Sequence, residues 1–345
     1  MISSGSSVKS GGCYGRRTSV RDALATSVGL AFFLAAYTTS ALAALAAWWM
    51  LRRVVGGWRP ATRARFCFAV RVAPIVLALA GLGVLIIPAW LAYEPIRTSE
   101  GIGWPLLATA ILTSGCVATA VINLICSMLA TQRTLTAWRH NATAVRIEGI
   151  DTRVFRIDHW FPLLATVGVL RPRIFVAAQV LDALEAREVR AAIRHEIAHQ
   201  QRRDNLKTAV MRFCRDLLPI ASGLRSIDHA FAAAAEQAAD EASVTQQSSS
   251  AIDLASALVK IGRLVPCGAT INMAATAFIV DGDGGLAARI RRLSSAETVI
   301  AVPTSSRRLV IGVFAVAAIV AYVIAAPRAL LVVHTIIEQL VRFTS

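Results

Sequence analysis

Four apolar runs constrain this sequence more than any other feature. They cover about residues 24–51, 72–93, 105–130 and 309–326, and a transmembrane helix needs about 20 such residues. In hydrocarbon every backbone N–H and C=O must find a partner within the chain, so runs of this kind are predicted to be helices. Charged residues make up only 17% of the chain, against about 25% in an ordinary soluble domain. The pattern predicts a mainly α, polytopic membrane protein with about four transmembrane helices. The first run follows Arg16-Arg17 and contains Ala41-Leu42-Ala43, which resembles a leader-cleavage site. It continues to Leu51 before Arg52-Arg53 stops it, so it reads as a retained helix.

The rest of the chain divides around these runs. Residues 1–23, rich in Ser and Gly, are expected to be disordered. Residues 24–130 hold three spans with short loops, and 131–308 form the only extended polar region. The fourth span is 309–326. In the tail, 327–345, His334, Glu338 and Arg342 recur every four residues, as in an amphipathic helix lying at an interface. The formal net charge of +15 comes almost entirely from arginine. No nucleic-acid module accompanies it, so the excess is assigned to topology and to anionic membrane lipid rather than to direct nucleic-acid binding. With the N-terminus outside, fourteen basic residues flanking the spans fall inside and seven outside, which places 131–308 in the cytoplasm. The six cysteines are scattered without CxxC spacing, which excludes a disulfide framework or thiolate metal site.

Every candidate for chemistry lies in the polar region. His195-Glu196-Ile197-Ala198-His199 places two imidazoles four residues apart, on one face of a helix predicted over about Arg187–Asn205. Both can reach one metal ion, and Glu196 flanks that face as a base for water. A catalytic zinc commonly takes three protein ligands. Glu236, in the Ala-rich helical segment Ala230–Val244, is the best third, with Asp240 one turn on to orient a ligating imidazole. Asp204, five residues past His199, is expected to turn away from the metal. Asp228 and His229 are expected to precede the second helix, with His229 a weak candidate for stabilising an oxyanion. The set predicts one Zn2+ per chain. Val154–Ile157 and Arg173–Val176 read as short strands, one of them a candidate edge for an extended substrate.

These motifs occur together with Gly168-Val169-Leu170-Arg171-Pro172-Arg173-Ile174-Phe175-Val176, then Arg202-Arg203-Asp204-Asn205-Leu206 and Glu236-Gln237-Ala238-Ala239-Asp240-Glu241-Ala242. Together they resemble the BlaR/MecR family of membrane zinc metallopeptidases, which are gluzincins. The resemblance implies a zincin-like cytoplasmic domain with a small β element in an inner or plasma membrane. It also implies His195, His199 and Glu236 as ligands, Glu196 as base and Asp240 behind a ligand. The antibiotic-sensing members carry a C-terminal penicillin-binding sensor, and β-lactam sensing by this chain alone is not expected. The implied substrate is a cytoplasmic or membrane-proximal protein, such as a transcriptional repressor or other regulator in signal transduction. Two rivals share the residues: a housekeeping protease of the HtpX or CAAX-processing type, and a catalytically silent signalling scaffold.

Overall fold

The computed structural model describes residues 11–93, 103–218, 222–244, 249–266 and 284–294, with isolated positions 335 and 339. The fourth apolar run lies outside the described residues, as does all but two positions of the tail. The chain divides into two compact units. One comprises Met1–Ala44, Ala73–Ala118 and Ala301–Ser345, and the other Leu45–Val72 and Thr119–Ile300.

The apolar runs form α1 (Gly11–Gly56), α2 (Pro60–Gly81), a π-helical turn (Leu82–Ile86), α3 (Ile87–Tyr93) and α4 (Trp104–His140). Helix α1 begins at Gly11. In the first unit Leu24, Val28 and Ile86 are buried against Phe32, Leu82, Trp90 and Leu106. Among the described residues, three stretches are long and apolar enough to cross a membrane: Asp22–Gly56, Pro60–Ala92 and Trp104–His140. Leu42, Leu77, Leu91, Ile111 and Ile122 each stand more than half exposed along them. So much bare apolar surface is stable only against lipid or another apolar partner, which marks a membrane protein.

The second unit carries a small mixed sheet and a helical layer. Its strands are β1 (Thr143–Val145), β2 (Val154–Ile157), β3 (Leu164–Val167) and β4 (Arg173–Ala177), in the order β1-β2-β4-β3. Strands β2 and β4 are parallel, and the other two pairings are antiparallel. The two strands predicted from alternation are therefore both interior, and neither is an edge. The edges are β1 and β3, and the residues of β3 are at most 4% exposed. There follow α5 (Ala178–Ala183), α6 (Ala186–Arg202), α7 (Asp204–Asp216), a 3-10 turn (Ser222–Leu224), α8 (Arg225–Val244), α9 (Ser249–Leu264) and α10 (Gly284–Ser294). Ile174, Phe175, Val176 and Ala177 of β4 pack with Leu163, Leu164, Val189, Ala192 and Ile193 in the main core.

Helix α6 is the element everything else positions. Its start is fixed by Glu188, whose carboxylate accepts the Glu185 N–H at 2.8 Å, Lys260 Nζ at 2.8 Å and Ser256 Oγ at 2.6 Å. Burial by itself would raise the Glu188 pKa, but Lys260, Ser256 and the backbone amide outweigh it and hold the group below its ordinary value of 4.5. A carboxyl depressed in the folded state stabilises the fold above the unfolded pKa, and that contribution is lost as pH falls through the folded value. Glu188→Ala is expected to cost about 1–3 kcal/mol at neutral pH. The deficit should shrink below pH 4.5, read by thermal denaturation across pH.

Three side chains register the sheet against α6 and the start of α7. Thr166 Oγ1 donates to Glu196 O at 3.1 Å, Gln200 Nε2 to Pro172 O at 2.9 Å, and Asn205 Nδ2 to Thr166 O at 2.8 Å and Gly168 O at 3.1 Å. Gly168 closes the β3–β4 hairpin at φ 112°, where an added Cβ would meet Arg171 O at 3.0 Å.

Candidate active site

Helix α6 runs from Ala186 to Arg202 and stops, three residues short of the predicted end. Arg203 adopts φ 54°, ψ 42°, a left-handed conformation that is uncommon and costly for a residue with a Cβ. That single residue turns the chain so that α7 starts back towards α6. Helix α8 supplies the other wall. Ala234, Ala235, Ala238 and Ala239 are buried along it, and their small side chains let the two helix backbones approach closely.

The approach brings three groups to one point. Ligand atoms of His195, His199 and Glu236 all lie within 4.8 Å of one another. His195 Nε2 is 3.0 Å from His199 Nε2 and 3.5 Å from Glu236 Oε2, while His199 Nε2 is 3.3 Å from Glu236 Oε1. With bonds of about 2.0–2.1 Å, a tetrahedral zinc spaces its ligand atoms by about 3.3 Å, so the donor set fits such an ion. The far side of each imidazole faces a carboxylate. His195 Nδ1 stands 3.0 Å from Asp240 Oδ1, and His199 Nδ1 stands 2.9 Å from Asp204 Oδ2. A proton held at each Nδ1 leaves Nε2 as the lone-pair donor.

Asp204 therefore does not turn away, as expected from a continuous helix. The break at Arg203 returns its carboxylate to His199, although it serves the imidazole rather than joining the three-atom cluster. Asp228 and His229 likewise do not precede the helix but lie in the first turns of α8. His229 is exposed and seven residues from Glu236, about 10 Å along the axis. Glu196 is 3% exposed and lies close enough to act electrostatically on His199 and Arg289.

Sequence reasoning missed a layer of cations behind the carboxylates. From α10, Arg289 Nη2 lies 2.7 Å from Asp240 Oδ1 and its Nη1 3.0 Å from Glu236 Oε2. Arg292 Nη2 is 2.9 Å from Asp240 Oδ2. On the other side Asp204 meets Arg202 at 3.0 Å and Lys207 at 3.5 Å. Arg202 also donates to Ala235 O at 2.7 Å, tying the end of α6 to α8. The only sequence signal for Arg289 and Arg292 was their density of charge on a short helix.

The electrostatics favour a cation at the centre. Burial would lower the His199 pKa, but Glu236 and Asp204 push it up to about 10. Burial would raise Glu236 and Asp240, yet the two histidines, with Arg289 beside Asp240, hold Glu236 well below its usual range and Asp240 at about 2. Both carboxylates thus stay ionised around two nitrogen donors.

No curated protein matches the chain. Residues 165–265 match Peptidase family M48, whose members are metal-dependent and usually use zinc. That stretch contains α6 and α8 entire, so His195, Glu196, His199, Glu236 and Asp240 all fall within it. This part of the chain is similar to metallopeptidases, which are hydrolases acting on peptide bonds.

Proposed function

We propose that the protein is a membrane-anchored zinc endopeptidase that cleaves a cytoplasmic or membrane-proximal protein. The observation that carries this is the paired orientation of His195 and His199, each with a carboxylate at Nδ1 and with Nε2 turned toward Glu236. His195, His199 and Glu236 are the ligands, and Asp240 and Asp204 fix the two rings. Bound there, zinc supplies Lewis acidity towards a scissile carbonyl and lowers the pKa of water. Glu196 takes the proton from the attacking water and returns it to the departing amine. The buried wall formed by α6 and α8 keeps these charges from bulk water, which strengthens their action on the reacting atoms.

A regulator or transcriptional repressor is the substrate class we favour, from the resemblance to BlaR/MecR proteins over the quoted motifs. The catalytic region lies on the cytoplasmic side by the distribution of arginines. The housekeeping reading differs in breadth, and cleavage of unrelated unfolded membrane proteins by the purified enzyme would favour it.

The deciding measurement is metal content of detergent-purified protein. Zinc is expected in stoichiometric amount in the wild type and lost in His199→Ala, with both proteins folded by circular dichroism. Folded wild type that neither retains nor takes up zinc would sink the peptidase reading.

A further inference from the structure

A second site lies in the same unit, where α1 ends and α2 begins. A cavity of about 400 Å³ opens there, lined by Trp48, Arg52, Arg53 and Arg63 on the membrane hairpin and by Ala230 and Ala233 on α8. That size lies within the range of small-molecule pockets. Its walls are almost wholly apolar, and the three arginines among its lining residues, Arg52, Arg53 and Arg63, bring positive charge beside that apolar surface. Arg52 lies 3.8 Å over the ring of Trp49, a stack that holds the cation in place. Arg63 reaches Gly56 O at 3.4 Å and also bonds Gln237 Oε1. Trp48 Nε1 donates to Ser226 Oγ at 3.1 Å.

Position selects among the ligands that would fit. Arg52 and Arg53 end the apolar stretch Asp22–Gly56, and the adjacent Trp48 and Trp49 are residues favoured at the headgroup level. A ligand here meets an apolar wall and a cluster of positive charge together. Basic pockets between helices at a membrane face take lipid headgroups for that reason. We propose that this cavity binds an anionic phospholipid, its phosphodiester between Arg52, Arg53 and Arg63 and its acyl chains along the apolar wall. Since Ala230 and Ala233 belong to the helix that carries Glu236, the bound lipid braces α8.

The test uses full-length protein in mild detergent, stripped of lipid and titrated with phosphatidylglycerol or phosphatidylcholine. Its readouts are retained lipid and melting temperature, neither of which depends on peptidase activity. Phosphatidylglycerol is expected to be retained saturably and to raise the melting temperature, with phosphatidylcholine doing neither. The double variant Arg52→Gln/Arg53→Gln should bind on the order of tenfold more weakly or worse. Ala230→Leu, which fills the apolar part and keeps every charge, should also lose the lipid. If the double variant does not fold, Ala230→Leu decides alone. Equal retention of the two lipids would overturn the proposal, as would unchanged binding in a folded variant. So would saturation by inorganic phosphate or soluble glycerophosphoglycerol at the same concentration, which would assign a free anion rather than a lipid.

Discussion

Glu196→Gln is expected to keep its zinc and lose peptide hydrolysis by about 10²–10⁴-fold. The two effects separate because Glu196 lies outside the three-atom cluster of His195, His199 and Glu236. Gln preserves size and hydrogen-bonding shape but cannot accept a proton at neutral pH. The fold should be undisturbed, since the contact that links this residue to β3 is made by its backbone carbonyl to Thr166. Zinc content and turnover of an unstructured protein substrate, measured on one preparation, check both halves. Loss of metal in this variant would make Glu196 a ligand, and retained turnover would remove it from the chemistry.

Asp240→Ala is expected to be the most damaging substitution outside the cluster, in two currencies at once. Metal affinity should fall about 10–100-fold because His195 loses the carboxylate that fixes its ring. Stability should fall by about 3–5 kcal/mol, because Arg289, only 11% exposed, loses the nearer of its two carboxylate partners. Arg289 would keep its contact with Glu236 and compete with any metal for it. Asp204→Ala is the comparison. It should cost similar metal affinity through His199, but only about 1 kcal/mol of stability, since Arg202 and Lys207 are each about one-fifth to one-quarter exposed and can turn to water. Chelator competition and thermal melting on both variants decide the matter. Equal stability losses would show that the buried Arg289 carries no special cost.

What could be read from the sequence was whatever repeats at helical spacing. His195 and His199, and Glu236 and Asp240, are each four residues apart on long helices, so their shared faces follow from the pattern. The partnership of Asp204 did not, because it depends on Arg203 taking a backbone conformation that favours glycine, and nothing in the residue type announces it. Arg289 and Arg292 lie about fifty residues from Asp240, and no local periodicity links them to it. Strand β1 has only three residues and β3 is buried at every position, so neither shows an in-and-out alternation. Their absence from the prediction made β2 and β4 look like candidate edges when both are interior.

The association of Leu45–Val72 with Thr119–Ile300 in one compact unit bears on how this protein can be taken apart. Arg71 meets Asp228 at 3.1 Å, Phe68 lies against Phe231, and Ile227 and Phe231 are buried. The polar region is therefore not a detachable passenger on its anchor. A fragment cut before α4 to make a soluble enzyme would bare an apolar stripe on α8 and leave Asp228 without its guanidinium. The membrane hairpin forms part of the wall of the catalytic region, and any dissection of the chain has to carry it along.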